Sequence, residues 1–264
     1  MASGPSRRER LIELLEQVRE CRRCPLGDTR NKAVFGSGSV DAPIMFVGEA
    51  PGYHEDQQGL PFVGQAGRLL ETLLARIGLT RKDVFISNIL KCRPPDNRDP
   101  LPDEISLCRG FLERQIDIIQ PRVICTMGNF STKLLSGRND GITRVRGRVQ
   151  PMPSRDAVQI FPVFHPAAAL YTPSNLSLLE KDFDDMGEVI GEVASAGVSP
   201  APDTKGDERA GSAFAAVDAE TPGSESDFEV SVIEDRKRRV LDEAGQEGPP
   251  PVPGVQDPEQ LGLF

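Results

Sequence analysis

The sequence predicts an α/β protein in which a parallel sheet is covered by helices on both faces. Four short apolar runs have the length and composition of buried strands, and segments with a helical spacing of apolar residues separate them. The runs span residues 44–47, 84–90, 122–127 and 158–164. A glycine or a polar residue lies at the end of each run, in the order Gly48, Asn88, Gly128 and His165. Because parallel strands end at the same edge of a sheet, these residues are expected to line one crevice.

The helices are predicted from the spacing of apolar side chains and from residues that favour helix ends. Pro102 and Asp103 stand where a helix is expected to begin, because proline fits the first turn and a negative charge is favourable there. Gly78 stands where another helix is expected to end. The helical segments span about residues 9–18, 64–78, 102–119 and 129–135.

A glycine-rich loop at 47–67 joins the first strand to the second helix. At such a junction, backbone N–H groups and a helix N-terminus form a pocket for acceptor atoms of a ligand. The segment GEAPG at 48–52 is compatible with a phosphate or with another polar ligand. The loop is therefore the first candidate for a ligand-binding site.

The charge of −9 is unevenly distributed along the 264 residues. Residues 191–264 hold 16 acidic and 6 basic residues, which leaves 24 acidic and 25 basic residues for 1–190. The net negative charge of the chain therefore comes from residues 191–264. It does not exclude a polyanionic partner for residues 1–190. We expect a folded domain at 1–190 and a disordered acidic and proline-rich linker at 191–259, within which the basic run 235–241 reads as a solvated charge cluster.

No run of 18 apolar residues and no signal-peptide pattern occurs, so we expect a cytoplasmic protein without a membrane span. Five cysteines in a chain of this length do not suggest a disulfide framework. Cys125 lies within a predicted strand and is expected to be a core residue. The other four form one CxxC and two single positions, a pattern that leaves zinc and an iron–sulfur cluster both open: Cys21, Cys24, Cys92 and Cys108.

Four motifs together with these cysteines resemble the type 4, iron–sulfur uracil-DNA glycosylases. The motifs are GEAPG at 48–52, GLPFVGQAG at 59–67, SNILKCRPP at 87–95 and FHPAAAL at 164–170. The resemblance covers about residues 9–190. It implies a three-layer α/β/α sandwich around a four-stranded parallel sheet and a [4Fe-4S] cluster on the four cysteines. It also implies hydrolysis of the N-glycosidic bond of deoxyuridine in DNA, which leaves an abasic site.

The resemblance also implies a set of residues that bind the flipped-out uracil. Phe62 matches the stacking platform, Asn88 matches the amide that pairs with O4 and N3–H of uracil, and His165 matches the donor to O2. Asn88, His165 and Glu49 are the expected catalytic residues. The expected uracil-binding residues are Glu49, Ala50, Pro51, Glu55, Phe62, Asn88 and His165.

Two positions of the loop depart from the type 1 uracil-DNA glycosylases. Ala50 stands where type 1 enzymes carry a water-activating Asp, so we expect Glu49 or backbone groups to position the water. Gly52 leaves no bulky side chain to exclude the methyl group of thymine. Glu55 is the residue expected to exclude it.

Contacts to DNA are expected from residues around the crevice, and we expect a monomer. Leu170 can wedge into the vacated base stack, whereas Tyr171 replaces a basic residue that relatives often carry. Arg93 and Arg146 are expected to contact phosphates. The neighbouring basic residues Lys91 and Arg98 are further candidates.

The C-terminus QLGLF resembles the peptide by which bacterial repair proteins bind the sliding clamp. Its expected clamp-binding residues are Gln260, Leu261, Leu263 and Phe264. Two rival functions stay open. One is a variant that traps uracil-DNA covalently, although the segment 64–68 lacks the basic insert typical of such relatives. The other is a non-catalytic, metal-stapled adaptor for the clamp.

Overall fold

A computed structural model describes residues 4–195 of the chain. Six strands are present in this range: β1 (Ser37–Gly38), β2 (Ile44–Gly48), β3 (Phe85–Asn88), β4 (Val123–Met127), β5 (Gln150–Met152) and β6 (Arg155–Val163). The helices are α1 (Arg7–Glu20), α2 (Leu26–Thr29), α3 (Tyr53–Gln58), α4 (Gln65–Arg76), α5 (Pro102–Ile119), α6 (Asn129–Ser136), α7 (Ile142–Val145), α8 (Pro166–Tyr171) and α9 (Pro173–Ser195). A 3₁₀ turn spans Pro95–Asn97.

The strands form one sheet in the order β1-β3-β2-β4-β6-β5. The four central strands are parallel, which confirms the predicted α/β class and its parallel core. The two edge strands pair antiparallel and were not predicted. They are two and three residues long, too short to show an alternating pattern. β1 also needs Gly38, because a Cβ there would lie 1.9 Å from the Val84 carbonyl oxygen.

Two apolar cores cover the two faces of the sheet, as expected for three layers. In β2, Met45 and Val47 pack with α1 and α5, whereas Ile44 and Phe46 pack with α4 and α9. This alternation follows from the opposite direction of successive side chains in a strand. Each fully buried side chain of this size contributes about 1.5–3 kcal/mol. The two cores hold the strand ends in fixed positions.

The strand order places a switch point between β2 and β4, because the chain continues from β2 to one side and from β4 to the other. Ligands bind α/β sheets at such a point, beyond the carboxyl ends of the strands. Gly48 and Asn88 are register partners at the ends of β2 and β3. His165 follows β6 and caps the N-terminus of α8. The crevice predicted from the strand ends therefore exists.

The last described helix, α9, extends to Ser195, five residues beyond the predicted domain boundary at 190. The predicted linker beyond it and the clamp-binding residues lie outside the part of the chain that the structure describes. Among residues 4–195, no helix is long and apolar enough to cross a membrane.

Candidate active site and cysteine cavity

A pocket of about 310 Å³ opens at the carboxyl edge of the sheet, and we call it the crevice pocket. All of the predicted uracil-binding residues line it, together with further residues from the segment after β3 and from α4 and α8. Its lining residues are Glu49, Ala50, Pro51, Gly52, Glu55, Phe62, Ala66, Asn88, Pro94, Asn97, Arg98, His165 and Ala167. The structure thus brings together side chains that lie up to 118 residues apart in the sequence.

Phe62 forms an aromatic wall of the crevice pocket. Its ring stacks on the His165 ring with centroids 5.5 Å apart and an interplanar angle of 28°. The backbone of Phe62 has φ 54°, an unfavourable value for a residue with a side chain. Arg81 donates to the carbonyl oxygens of Pro61 and Phe62 and pairs with Glu71. These contacts hold the strained backbone that turns the ring towards the pocket.

Asn88 brings its side-chain amide to the pocket from the end of β3. The residue is 2% exposed, and within the described range its Oδ1 is the only buried side-chain oxygen or nitrogen without a hydrogen-bond partner. A Cβ on Gly48 would lie 2.4 Å from this Oδ1 and 2.9 Å from the Phe62 ring. Glycine at 48 is therefore required for the amide and the ring to approach the strand. An unpaired buried acceptor costs about 1–3 kcal/mol, which a ligand donor would recover.

His165 is neutral at physiological pH. Its Nδ1 accepts the Ala167 N–H at 3.2 Å, which places the ring proton on Nε2. Burial lowers the pKa of His165 to about 4, although the negative charge of Glu55 acts in the opposite direction. The residue therefore offers a neutral N–H donor.

Glu49 and Glu55 are the carboxyl groups of the pocket lining. Burial raises the pKa of Glu49 to about 7, and the charge of Asp99 adds to this effect. Oε1 of Glu55 accepts the N–H groups of Val63 and Gly64 at 2.9 and 3.1 Å. Glu55 is thus fixed, whereas Glu49 is poised to exchange a proton near neutral pH.

Of the predicted DNA-contacting residues, Arg93 and Leu170 lie outside the pocket lining. Arg93 donates to Asn97 Oδ1 at 2.7 Å and lies 5.3 Å from the centre of the exposed Tyr53 ring. Leu170 is 39% exposed at the end of α8. Both side chains can therefore be reached from solvent.

Two predicted basic contacts are used inside the protein instead. Arg146 forms a two-pronged ion pair with the buried Asp182 at 2.8 and 2.7 Å and lies over the Phe164 ring. Its guanidinium has little capacity left for a phosphate, so we do not retain Arg146 as a DNA contact. Lys91 is only 1% exposed, because its ammonium group turns inwards to Ser87 and Gln115, and it is not a DNA contact either.

Four cysteines line a second, smaller cavity between α1, the segment after β3, and α5. We call it the cysteine cavity, and its sulfur residues are Cys21, Cys24, Cys92 and Cys108. Arg30 donates to Cys92 Sγ at 3.0 Å, and the Lys91 N–H donates to Cys108 Sγ at 3.4 Å. Cys125 is fully buried in β4, as predicted.

Two of the four cysteines, Cys92 and Cys108, are buried, whereas Cys21 and Cys24 are half-buried. Burial raises the pKa of Cys92 to about 11 and also raises the pKa of Cys108. Without a cation these two buried thiols are therefore protonated at neutral pH. Among residues 4–195, no three His, Cys, Asp or Glu side chains are close enough to hold a single metal ion. The four cysteines surround a space instead.

Several supporting residues were not predicted from the sequence. Pro94 and Asn97 line the crevice pocket. Arg98 was expected only as a further DNA contact, but it also lines the pocket and is held by Glu104 at 2.9 and 2.6 Å. Their position directly after the SNILKC segment was the available signal. Arg81 had no local signal, because its role depends on packing against a loop about 20 residues away.

Comparisons with known proteins show the family of the chain. A profile of the Uracil DNA glycosylase superfamily matches residues 35–190. A type-4 uracil-DNA glycosylase of Sulfurisphaera tokodaii is 48% identical over 185 residues, which cover 68% of this chain and 84% of the relative. The type-4 enzyme of Archaeoglobus fulgidus is 43% identical over 70% of this chain and 95% of the relative, and that of Saccharolobus solfataricus is 46% identical over 67% and 85%. The chain therefore belongs to the uracil DNA glycosylase superfamily.

Proposed function

We propose that the protein excises uracil from DNA by hydrolysing the N-glycosidic bond and leaves an abasic site. The observation that carries this proposal is the unpaired Asn88 Oδ1, which lies in a pocket whose wall is the Phe62 ring stacked on His165. Uracil N3–H would donate to this oxygen, and uracil O4 would accept from the amide nitrogen. Cytosine offers an acceptor at N3 and a donor at C4, so a fixed amide rejects it.

The reaction would rest on charge stabilisation of the leaving base. The Nε2–H of His165 donates to uracil O2 as negative charge develops there. Its neutrality is supported by the Ala167 hydrogen bond and by burial. Because Ala50 provides no carboxylate, water is positioned by Glu49, whose pKa near 7 suits a group that accepts a proton.

Glu55 is the proposed barrier to thymine. Its Oε1 is anchored by two backbone N–H groups, and its Oε2 lies 2.8 Å from where a Cβ on Gly52 would be. The carboxylate therefore fills the space that a larger residue at 52 would occupy. Glu55→Ala is expected to gain affinity or activity towards thymine in DNA, and a variant without such a gain would contradict the assignment.

The cysteine cavity is the proposed site of a [4Fe-4S] cluster. The fit rests on four thiols that line one cavity and on N–H donors that bind two of the sulfurs. Such a group would covalently join the residues after α1 to those after β3 and in α5. Iron and sulfide quantification with an anaerobic visible spectrum distinguishes it from zinc.

Further partners are proposed from the sequence and from exposure. Arg93 and Leu170 contact the DNA around the flipped nucleotide. The protein acts as a monomer, and its substrate is the nucleoid DNA in the cytoplasm. The C-terminal residues 260–264 bind the sliding clamp. Deleting them is expected to abolish clamp pull-down while excision on short DNA stays unchanged, and retained pull-down would refute this role.

A base-release assay on single- and double-stranded DNA tests the proposed function. Free uracil with several turnovers per enzyme molecule is expected, and DNA that contains cytosine instead is the control. A protein–DNA complex that survives denaturation would support the covalent-trapping rival. Uracil-DNA left intact by a folded, iron-loaded protein would support the adaptor.

A further inference from the structure

Lys91 lies buried between the crevice pocket and the cysteine cavity. Its side chain is 1% exposed, and Nζ donates at 2.7 Å to each of three acceptors: Ser87 Oγ, Asn88 O and Gln115 Oε1. An ammonium group has three donors, so its hydrogen-bonding capacity is used in full. Burial of a lysine at this depth is rare and calls for a specific role.

Lys91 also forms part of the wall of the cysteine cavity. Its backbone N–H donates to Cys108 Sγ at 3.4 Å, and the next residue in the chain is Cys92. Its backbone is therefore held at the cysteine cavity, while its side chain reaches the end of β3.

The other contacts of Lys91 hold the end of β3. Nζ binds the backbone carbonyl of Asn88 itself, and Ser87 and Gln115 both donate to the Phe35 carbonyl oxygen at 3.1 and 2.8 Å. This network fixes the backbone from which the Asn88 amide projects. Recognition of a base edge requires the reading group to be held within about 0.5 Å of its productive position.

We propose that Lys91 is a positioning residue through which the wall of the cysteine cavity holds Asn88 in the crevice pocket. The inference rests on the proposed uracil excision. It gives the cysteine cavity a defined hydrogen-bonded connection to base recognition, although no cysteine lines the crevice pocket.

The test is a double-mutant cycle between Lys91→Met and Asn88→Ala, measured as single-turnover excision. Lys91→Met keeps the length of the side chain and removes its donors and charge. It is expected to lower the excision rate about 100-fold, the effect of misplacing a reacting group by about 1 Å. Affinity for DNA without uracil is expected to stay within about twofold. Lys82→Met, an exposed lysine before β3, is the matched control and is expected to behave as wild type.

The double-mutant cycle measures whether the effects of Lys91→Met and Asn88→Ala depend on each other. If Lys91 acts through Asn88, Lys91→Met has little further effect once Asn88 is alanine. Independent, multiplicative losses would overturn the proposal. We expect Lys91→Met to have the iron content and the visible spectrum of the wild type. Loss of iron would overturn the proposal, because the lower rate would then be explained by loss of the metal group.

A milder variant keeps the test valid if Lys91→Met does not fold. Ser87→Ala removes one acceptor of Lys91 Nζ and is expected to cause a smaller loss that is likewise absent in the Asn88→Ala background. Absence of excision by the wild-type protein would refute the proposed function. Excision by the wild type, with multiplicative losses in the variants, would refute only the role of Lys91.

Discussion

The crevice pocket contains a buried acceptor without a partner, whereas in the cysteine cavity two sulfurs already accept N–H groups of the protein. The two spaces lie on either side of residues 87–92. The crevice pocket is lined by polar groups and two stacked rings, and the cysteine cavity by thiols, apolar side chains and the basic residues Arg23, Arg30 and Lys91.

The difference indicates how each space is used. A site that takes up a base and releases it must leave hydrogen-bonding groups free for the ligand, at a cost to stability. A site that holds a permanent group can satisfy its ligands with second-layer donors. Variants of the crevice pocket are therefore expected to change the rate, and variants of the four cysteines to change stability and iron content.

The largest expected effect on rate is that of His165→Ala. Loss of one preorganised donor to a developing negative charge lowers rates about 100- to 1000-fold. Single-turnover excision measures the loss. Iron content should stay near wild type, whereas stability should fall by about 1 kcal/mol because the N-cap of α8 is lost. His54→Ala removes the other histidine, which is exposed, and should leave the rate unchanged. Equal losses in the two variants would contradict the comparison.

The next largest effect on rate is that of Glu49→Gln, which is expected to lower the excision rate about 100-fold at pH 8. The wild-type rate should rise with pH around 7, where the carboxylate forms, and the variant should lack this rise.

The stability of the wild-type protein should change with pH in the opposite direction to its rate. Because folding raises the pKa from 4.5 to about 7, folding favours the protonated form, and wild-type stability falls as pH rises through this window. Glu49→Gln should therefore be the more stable protein at pH 8.

Cys92→Ala is expected to lose iron and to unfold at a lower temperature, while the molecules still folded keep excision within about tenfold of wild type. The reason is that the residue lines the cysteine cavity and not the crevice pocket. Cys125→Ala is the matched control, a buried core cysteine that should keep its iron and lose about 1 kcal/mol. Full iron content in Cys92→Ala would break the comparison.

The smallest effect on rate is expected for Arg146→Met, within about twofold, with unchanged affinity for DNA. Its effect on stability should be large, about 3 kcal/mol at neutral pH, because it leaves Asp182 buried without its partner. Burial raises the pKa of Asp182 to about 6 although Arg146 lowers it, and removal of Arg146 raises it further. The loss should therefore shrink as the pH falls towards 6, because the carboxyl group of the variant is protonated first. The double variant Arg146→Met/Asp182→Asn is the control and should recover the lost stability. If Arg146→Met weakened the binding of DNA, Arg146 would be a DNA contact after all.

The apolar runs and the residues at their ends predicted the parallel core and the meeting of Asn88 and His165, because both are local signals. The position of Phe62 beside them was implied by the family resemblance. The sequence did not predict the edge strands, which are too short to show a pattern. It also placed Lys91 and Arg146 on the DNA-contacting surface, because charged residues are normally exposed. Their burial depends on Gln115 and Asp182, 24 and 36 residues away.

The amino-acid sequence by itself determined the order of the four central strands and of α1, α4, α5 and α6, the residues at the strand ends and the four cysteines. Each of these is encoded within a few neighbouring positions. Only the tertiary structure decided which groups are left unpaired and which charges are neutralised, because both depend on partners brought together across the sheet. The stack of Phe62 on His165 and the burial of Lys91 behind Asn88 are such outcomes.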